Sequence, residues 1–281
     1  MSDSYNENSN KCKLEQYKPI GIIGSGNMGT GIIKGLISSK LLNPDDIIAT
    51  NSRHVDLIKL KSQGVLIENS NAIVAEKSKT IILAVKPGLI QKVVAEIRDF
   101  IIGKLLISVA SGISIETIQK SIPGQLIPII RVMPNTAVEV HEGCAAITPS
   151  SDASSLDINA CKMIFQSICK VCEVVSEDNI DSMIGISGSG IAYIYVVAEA
   201  LIDAGVKMGL PRNVSNKLVA QTLVGAGKMI LETGQHPMQL KDNVTSPGGC
   251  TICGVAKLEE LGLRNALIQA AEAAKEKAQK H

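Results

Sequence analysis

The sequence predicts an α/β protein: a doubly wound, mostly parallel sheet followed by an all-helical part. Three observations carry that prediction. From Lys18 to Ser176, short apolar runs alternate with amphipathic helical patterns, the rhythm of successive βαβ units. A glycine-rich turn joins the first apolar run to the first helical pattern. From Glu177 onward strand signals stop and long helical patterns take over.

Residues 1–17 are polar, rich in Ser and Asn and without period, and are read as a disordered tail. Strands are expected at 20–23, 47–50, 80–85, 105–109 and 127–133. Helices at 28–39, 55–63, 89–100 and 114–120 separate them. Two further strands, 143–148 and 170–175, flank a helix at 154–168. Residues 18–176 therefore form the sheet domain, and 177–281 a helical domain. The helices expected in the second part are 179–187, 191–208, 212–232, 250–260 and 263–280. Gly209-Leu210-Pro211 and 234–237 break them. The uncharged stretch 182–198 contains Ser and Gly, falls short of a membrane span and is read as a buried helix. The helical faces are rich in Ala, Gly, Ile and Val. So small a helical part cannot bury them alone, which points to a second copy of the chain.

Composition narrows the class. Apolar residues make up 45% of 281 positions, aromatics 2%, and there is no Trp, so the core is Ile, Val, Leu and Ala. A net charge of +1 offers no basic field for nucleic acid and no attraction to a membrane surface. Seven cysteines, an odd number with no apolar leader before them, suit reduced thiols in the cytoplasm. The pairs Cys169/Cys172 and Cys250/Cys253 lie too far apart for a compact zinc module and are read as small buried thiols.

The first strand runs into Gly24-Ser25-Gly26-Asn27-Met28-Gly29, the G-x-G-x-x-G spacing of a dinucleotide site. Gly24 permits the tight turn, Gly26 lets backbone approach a pyrophosphate, and Gly29 allows close helix–strand packing. This is a Rossmann-type arrangement. An NAD enzyme usually has an acid at the end of the second strand, to hold the ribose 2′-OH. Here Asn51, Ser52 and Arg53 stand there instead. They can bond and pair with a 2′-phosphate, which favours NADPH with NADH tolerated. Ala84-Val85-Lys86-Pro87 and Ala110-Ser111 follow the next two strands and should flank the nicotinamide half. Lys86 is read as a packed or phosphate-facing side chain rather than a proton donor.

Near the C-terminus, Ser246-Pro247-Gly248-Gly249 turns into a helix beginning Cys250-Thr251. Such a turn exposes unpaired helix-start N–H groups, which suit a small anion. Thr251 adds a hydroxyl at the mouth. A capped helix start would explain the same residues more simply.

Together these segments resemble the Δ1-pyrroline-5-carboxylate reductase family. The likeness runs from about residue 18 to 280. It is carried by IGSGNMG at 23–29, LAVKP at 83–87, RVMPNT at 131–136, ISGSGIAYIY at 186–195, GVKMGLPR at 205–212 and QHPMQLKDNVTSPGGCT at 235–251. The resemblance implies a helical dimerisation domain and NADPH-dependent reduction of L-1-pyrroline-5-carboxylate to L-proline, the last step of proline biosynthesis. It implies cofactor contacts at Ser25, Asn27, Met28, Asn51, Asn71, Ala84 to Pro87, Ala110 and Ser111, with Asn243 reaching in from the helical domain. It implies that the substrate carboxylate sits on N–H groups of Gly248, Gly249, Cys250 and Thr251, and that the pocket is completed by a second subunit. Thr251 is the candidate partner of the ring nitrogen, while His236 is read as structural. The chain departs from the family pattern at Ala137, Ile191, Gly234 and Cys250. Two alternatives stay open: an imine or hydroxyacid reductase with a similar front half, and a non-catalytic NADPH-binding protein.

Overall fold

The structure is a computed structural model that describes residues 14–51 and 54–279. Residues 1–13 of the expected tail lie outside the described residues. Its last part does not behave as a tail. Leu14 is fully buried, and Tyr17, at the end of the 3-10 turn Glu15–Tyr17, is buried in the same apolar core. The Tyr17 hydroxyl donates to Asp157 Oδ1 at 3.0 Å. Burial, then that bond and the carboxylate charge, push its pKa up to about 12.

Eight strands form one sheet in the order β3-β2-β1-β4-β5-β6-β7-β8. They are β1 (Ile20–Ile23), β2 (Ile47–Thr50), β3 (Leu66–Ile67), β4 (Thr80–Leu83), β5 (Leu105–Ser108), β6 (Ile129–Pro134), β7 (Gly143–Pro149) and β8 (Cys169–Val174). All neighbours run parallel except β6 and β7. The central strands are buried on both faces, which is why they read as unbroken apolar runs. Alternate side chains feed opposite cores. Ile20, Ile22, Ile82 and Ile107 meet α1 (Asn27–Ser38) and α6 (Ser155–Gln166) through Ile32, Leu36, Ile164 and Phe165. Ile23, Ile81, Leu83 and Leu106 meet α3 (Asn71–Lys77) and α4 (Ile90–Ile97) through Val74, Val94 and Ile97. The remaining helices of this part are α2 (His54–Ser62), α5 (Ile115–Gln119) and α7 (Glu177–Met183). The strand β3 and the helix α3 were not expected, and the single helix expected at 89–100 is α4 between two 3-10 turns.

The chain divides into two compact units, but not after Ser176. The first continues through Gly188 and takes in the chain again from Ala274; the second is Ser189–Ala273. Electrostatics explains the shift. Arg131 on β6 is buried, and its guanidinium reaches Glu177 at 2.8 Å and Asp181 at 2.9 Å, both on α7. A buried guanidinium needs those partners, so α7 belongs with the sheet. A π-helical turn, Ile184–Gly188, follows.

The second unit is helical: α8 (Gly190–Lys207), α9 (Arg212–Thr233), α10 (Pro237–Asn243), α11 (Cys250–Glu260) and the start of α12 (Leu263–Gln279). Helix α10 was not expected. Helices α8 and α9 approach closely where Gly205 meets Ser215; a Cβ on Gly205 would lie 3.2 Å from that of Ser215. Within this unit only Gly190, Gly205 and Ser215 are buried. Ile184, Gly185 and Ser187 are buried but Ile194, Tyr195 and Val196 stand exposed, so only the first half of the stretch expected as a buried helix is buried by its own chain. Taken whole, Glu177–Lys207 is long and apolar enough to cross a membrane by length and composition alone, unlike the shorter uncharged stretch. Its first part, however, holds the carboxylates that pair with Arg131 in the first unit.

The two Cys pairs part company. Burial pushes the Cys161 thiol well up, Cys169 to about 12 and Cys172 to about 11. Cys250 and Cys253, expected to be buried, are exposed because they lie on α11 of the open helical unit.

Candidate active site

The glycine turn begins where β1 ends. Gly24 has φ +97°, a conformation that L side chains rarely adopt. A Cβ there would press on the Ala84 carbonyl at 2.8 Å and on Val85 Cγ1 at 2.7 Å. Gly29 has no room for a side chain either, because the Gly24 carbonyl lies against it. The Thr50 carbonyl gathers the loop: it accepts from Gly24 N–H (3.0 Å), Ser25 N–H (3.1 Å) and Ser25 Oγ (3.2 Å). Asn51 Nδ2 donates to the Ser25 carbonyl at 2.8 Å, and Thr30 Oγ1 donates to it at 3.0 Å. The loop is thus shaped before any ligand arrives.

Gly26 caps α1 in extended conformation and provides no side-chain acceptor. The first amides of the helix, from Asn27 on, lack intrahelical partners and carry the positive end of its dipole. Asn27 is exposed and Met28 half-buried. Beside them lies a cavity of about 370 Å³ lined by Gly26, Asn27, Thr30, Lys34, Thr136 and Glu139. The last two come from the 3-10 segment Thr136–Val140, which sequence reasoning missed although the RVMPNT motif ends at Thr136.

The other expected cofactor residues distribute as follows. Asn51 directly follows β2, while Ser52 and Arg53 lie outside the described residues. Asn71 opens α3, and its Nδ2 donates to Glu96 Oε2 at 3.0 Å, a partner that no sequence signal indicated. Ala84 N–H donates to the Ile23 carbonyl at 2.8 Å, and Val109 N–H to the Leu83 carbonyl at 3.0 Å. These bonds line up the ends of β1, β4 and β5. Val85 is half-buried, Lys86 is exposed and Pro87 starts a 3-10 turn; Ala110 is buried and Ser111 half-buried. Gly24 to Gly29, Asn51, Ala84 to Lys86 and Ala110-Ser111 therefore share the carboxyl edge of the parallel strands, where open α/β sheets take their ligands.

The second unit carries the other motif. His236 Nδ1 accepts from Met238 N–H at 3.2 Å and so caps α10. Asn243 ends that helix, exposed, its Oδ1 accepting from Gln239 Nε2 at 3.0 Å. Ser246–Gly249 is a type II turn: Pro247 at its second position, Gly248 at φ +67°, and Gly249 N–H donating to the Ser246 carbonyl at 3.0 Å. Gly249 then caps α11 in extended conformation, leaving the Cys250 and Thr251 amides without intrahelical acceptors. Thr251 is exposed in the first turn.

A Rossmann sheet with this glycine turn defines a nucleotide-dependent oxidoreductase. Residues 19–112 match the family model described as NADP oxidoreductase coenzyme F420-dependent, and 177–281 match pyrroline-5-carboxylate reductase dimerisation. Pyrroline-5-carboxylate reductase 3 of Xenopus laevis is 37% identical, covering 91% of this chain and 93% of its own. The Synechocystis enzyme is 40% identical, covering 92% and 97%. The crystal structure of Plasmodium falciparum pyrroline carboxylate reductase with NADP bound matches with a TM-score of 0.86 and 31% identity, covering 94% of this chain and 98% of that one. The Coxiella burnetii pyrroline-5-carboxylate reductase gives 0.84 and 35%, with the same coverage. The chain belongs to the pyrroline-5-carboxylate reductase family.

Proposed function

We propose that this chain reduces L-1-pyrroline-5-carboxylate to L-proline with NADPH, and accepts NADH less well. The observation that carries the reading is the Ser246–Gly249 turn, with its side-chain-free approach to the α11 amides. The residues present fit the dinucleotide. Gly24 and Gly29 leave no space for a Cβ, Gly26 adds no side chain, and the amides at the start of α1 suit a pyrophosphate. Bound there, NADPH would supply the hydride for C5 of the cyclic imine. Asn51, with Ser52 and Arg53, is assigned the 2′-phosphate side. Asn71, Ala84 to Pro87, Ala110 and Ser111 line the rest of the dinucleotide, and Asn243 reaches it from a helical unit.

Gly248, Gly249, Cys250 and Thr251 hold the substrate carboxylate through backbone N–H groups. The α11 dipole contributes about 0.3–1 kcal/mol to that anchor. As C5 takes the hydride, the C=N bond becomes a C–N single bond and its electron pair goes to nitrogen. Thr251 Oγ1 hydrogen-bonds that nitrogen and relays to it a proton taken from solvent water. Fixing both reactants lowers the barrier most, by roughly 7–11 kcal/mol in well-oriented cases. Two copies of the chain form the working unit, each covering the apolar helices of the other and completing its pocket. The unbridged, buried Cys161 and Cys169 support a reducing compartment, the cytoplasm.

Thr251→Ala tests the site. We expect kcat to fall roughly 10²–10⁴-fold, with NADPH Kd unchanged and Thr251→Ser close to normal. Near-normal kcat in the Ala variant would leave Thr251 a first-turn residue of α11 with no part in the chemistry.

A further inference from the structure

The C-terminal helix returns to the first unit, and the place where it lands is the back of a nucleotide-site loop. Helix α12 ends at Gln279, and its residues from Ala274 belong with the sheet. Ala278 is buried there. Its backbone lies against Gly112, at φ +71°, so tightly that a Cβ on Gly112 would strike the Ala278 carbonyl oxygen and sit 3.2 Å from its carbonyl carbon. Gly112 directly follows Ala110-Ser111, the loop at the carboxyl end of β5.

That loop has few fastenings of its own. Before it, Val109 N–H is tied to Leu83. Ala110 N–H reaches Ser108 Oγ at a long 3.4 Å. After it, Ser114 Oγ accepts from Thr117 N–H at 3.0 Å and caps α5. Among the described residues, the N–H groups of Ser111, Gly112 and Ile113 have no backbone acceptor. What fixes the middle of the loop is packing: buried Ile113 on one side and the last turn of α12 on the other.

We propose that Ala278 is a positioning residue for the nucleotide site: its backbone is a backstop that sets how far the Ala110–Gly112 loop reaches toward the nicotinamide half. This rests on the assignment of Ala110 and Ser111 to the cofactor. The absence of a side chain at Gly112 is what allows the contact. Ala278 touches neither cofactor nor substrate and acts through the loop alone.

The test uses two variants of the full protein. One ends after Lys277, which removes the backstop and leaves the loop sequence untouched. The other is Gly112→Ala, which drives a methyl group into the Ala278 carbonyl. NADPH Kd is measured by nicotinamide fluorescence, so the result does not depend on which imine is the substrate. We expect Kd and the KM for NADPH to rise about tenfold in each. That is well under the roughly 10²-fold that a misplacement of an ångström can cost. The KM for the imine acid and kcat at saturating NADPH should hold in both, and the melting temperature should hold in the shortened chain; Gly112→Ala loses stability besides, because its φ is +71°. Hydrogen exchange at Ser111 to Ile113 should quicken in the shortened chain. Combining the two changes should be less than additive, since the shortened chain has no carbonyl to strike. Unchanged NADPH Kd in both variants overturns the proposal. A rise of Kd in the shortened chain that comes with parallel losses of kcat and melting temperature also overturns it, because the contact would then serve only general stability.

Discussion

The sheet unit and the helical unit solve the same problem in opposite ways. In the first, Ile, Leu and Val from both faces of the sheet are covered by the unit's own helices, and every residue of β1, β2, β4 and β5 is buried. In the second, five helices are as rich in apolar residues for their length but bury almost none: Tyr195 is 63% exposed, Val196 69% and Leu231 66%. Such surface on a folded chain marks an interface. One unit is a finished core. The other is half of one, in keeping with the dimerisation family its sequence matches. The difference shows that burial, read chain by chain, locates where the protein is a monomer and where it is an assembly.

The largest effect should come from breaking the unfinished half. Val196→Asp combined with Leu231→Asp places charges on faces that a second copy covers. Each leaves a buried, unpaired charge at about 3–5 kcal/mol. Sedimentation should then show single chains, with turnover lost and the first unit's NADPH binding retained. A folded, active single chain of the unmutated protein at micromolar concentration would break the contrast between the two units.

Next in size is the device that draws α7 into the finished half. Arg131→Met leaves Glu177 and Asp181 facing an apolar side chain. Glu177 keeps 37% of its side-chain surface in water, so the loss should fall near the low end, about 3 kcal/mol in urea unfolding. Adding Glu177→Gln and Asp181→Asn should recover part of it. No recovery would mean that packing, rather than charge, attaches α7.

The smallest effect sharpens the edge of the finished core. Tyr17 holds its proton in the folded state up to about pH 12, against an ordinary value of 10.0. The folded form binds the proton more tightly, so this stabilisation is complete below the unfolded value and is lost as pH rises through the folded one. Tyr17→Phe should cost about 1 kcal/mol at neutral pH and flatten part of the fall in melting temperature between pH 10 and 12. Cys169, raised from 9.0 to about 12, and Cys172, raised from 9.0 to about 11, lose stabilisation in the same direction from pH 9 upward and should account for part of the remaining slope.

The fold was legible in the sequence where one residue type serves one geometry. The Ile runs of β1 and β2 mark doubly buried strands to the residue, and Gly24 marks a positive φ. What stayed illegible depends on partners distant in sequence. Two residues suffice for β3 because β2 templates them, and two residues carry no period. Leu14 looked like tail because the core that receives it is assembled from strands and helices much further along. Cys250 and Cys169 look alike in composition, yet one is exposed and the other buried, and only the covering elements decide that. In the candidate site, the backbone-forming glycines were readable, as was the Ser246–Gly249 turn. The hydrogen bond that orients Asn71 was not, because nothing in the sequence around Glu96 selects it.

One consequence of the returning helix concerns time. The ribosome finishes the strands of the sheet unit long before it reaches Ala274, yet the turn around Ala278 that completes this unit is among the last parts made. Domains generally fold as units, the N-terminal one first during synthesis. Here the older unit must wait, with Gly112 uncovered, until the whole helical unit has left the exit tunnel. Nascent chains stalled between Val174 and Ala274 carry a complete set of strands and no closing turn, so maturation of the first unit is tied to synthesis of the second.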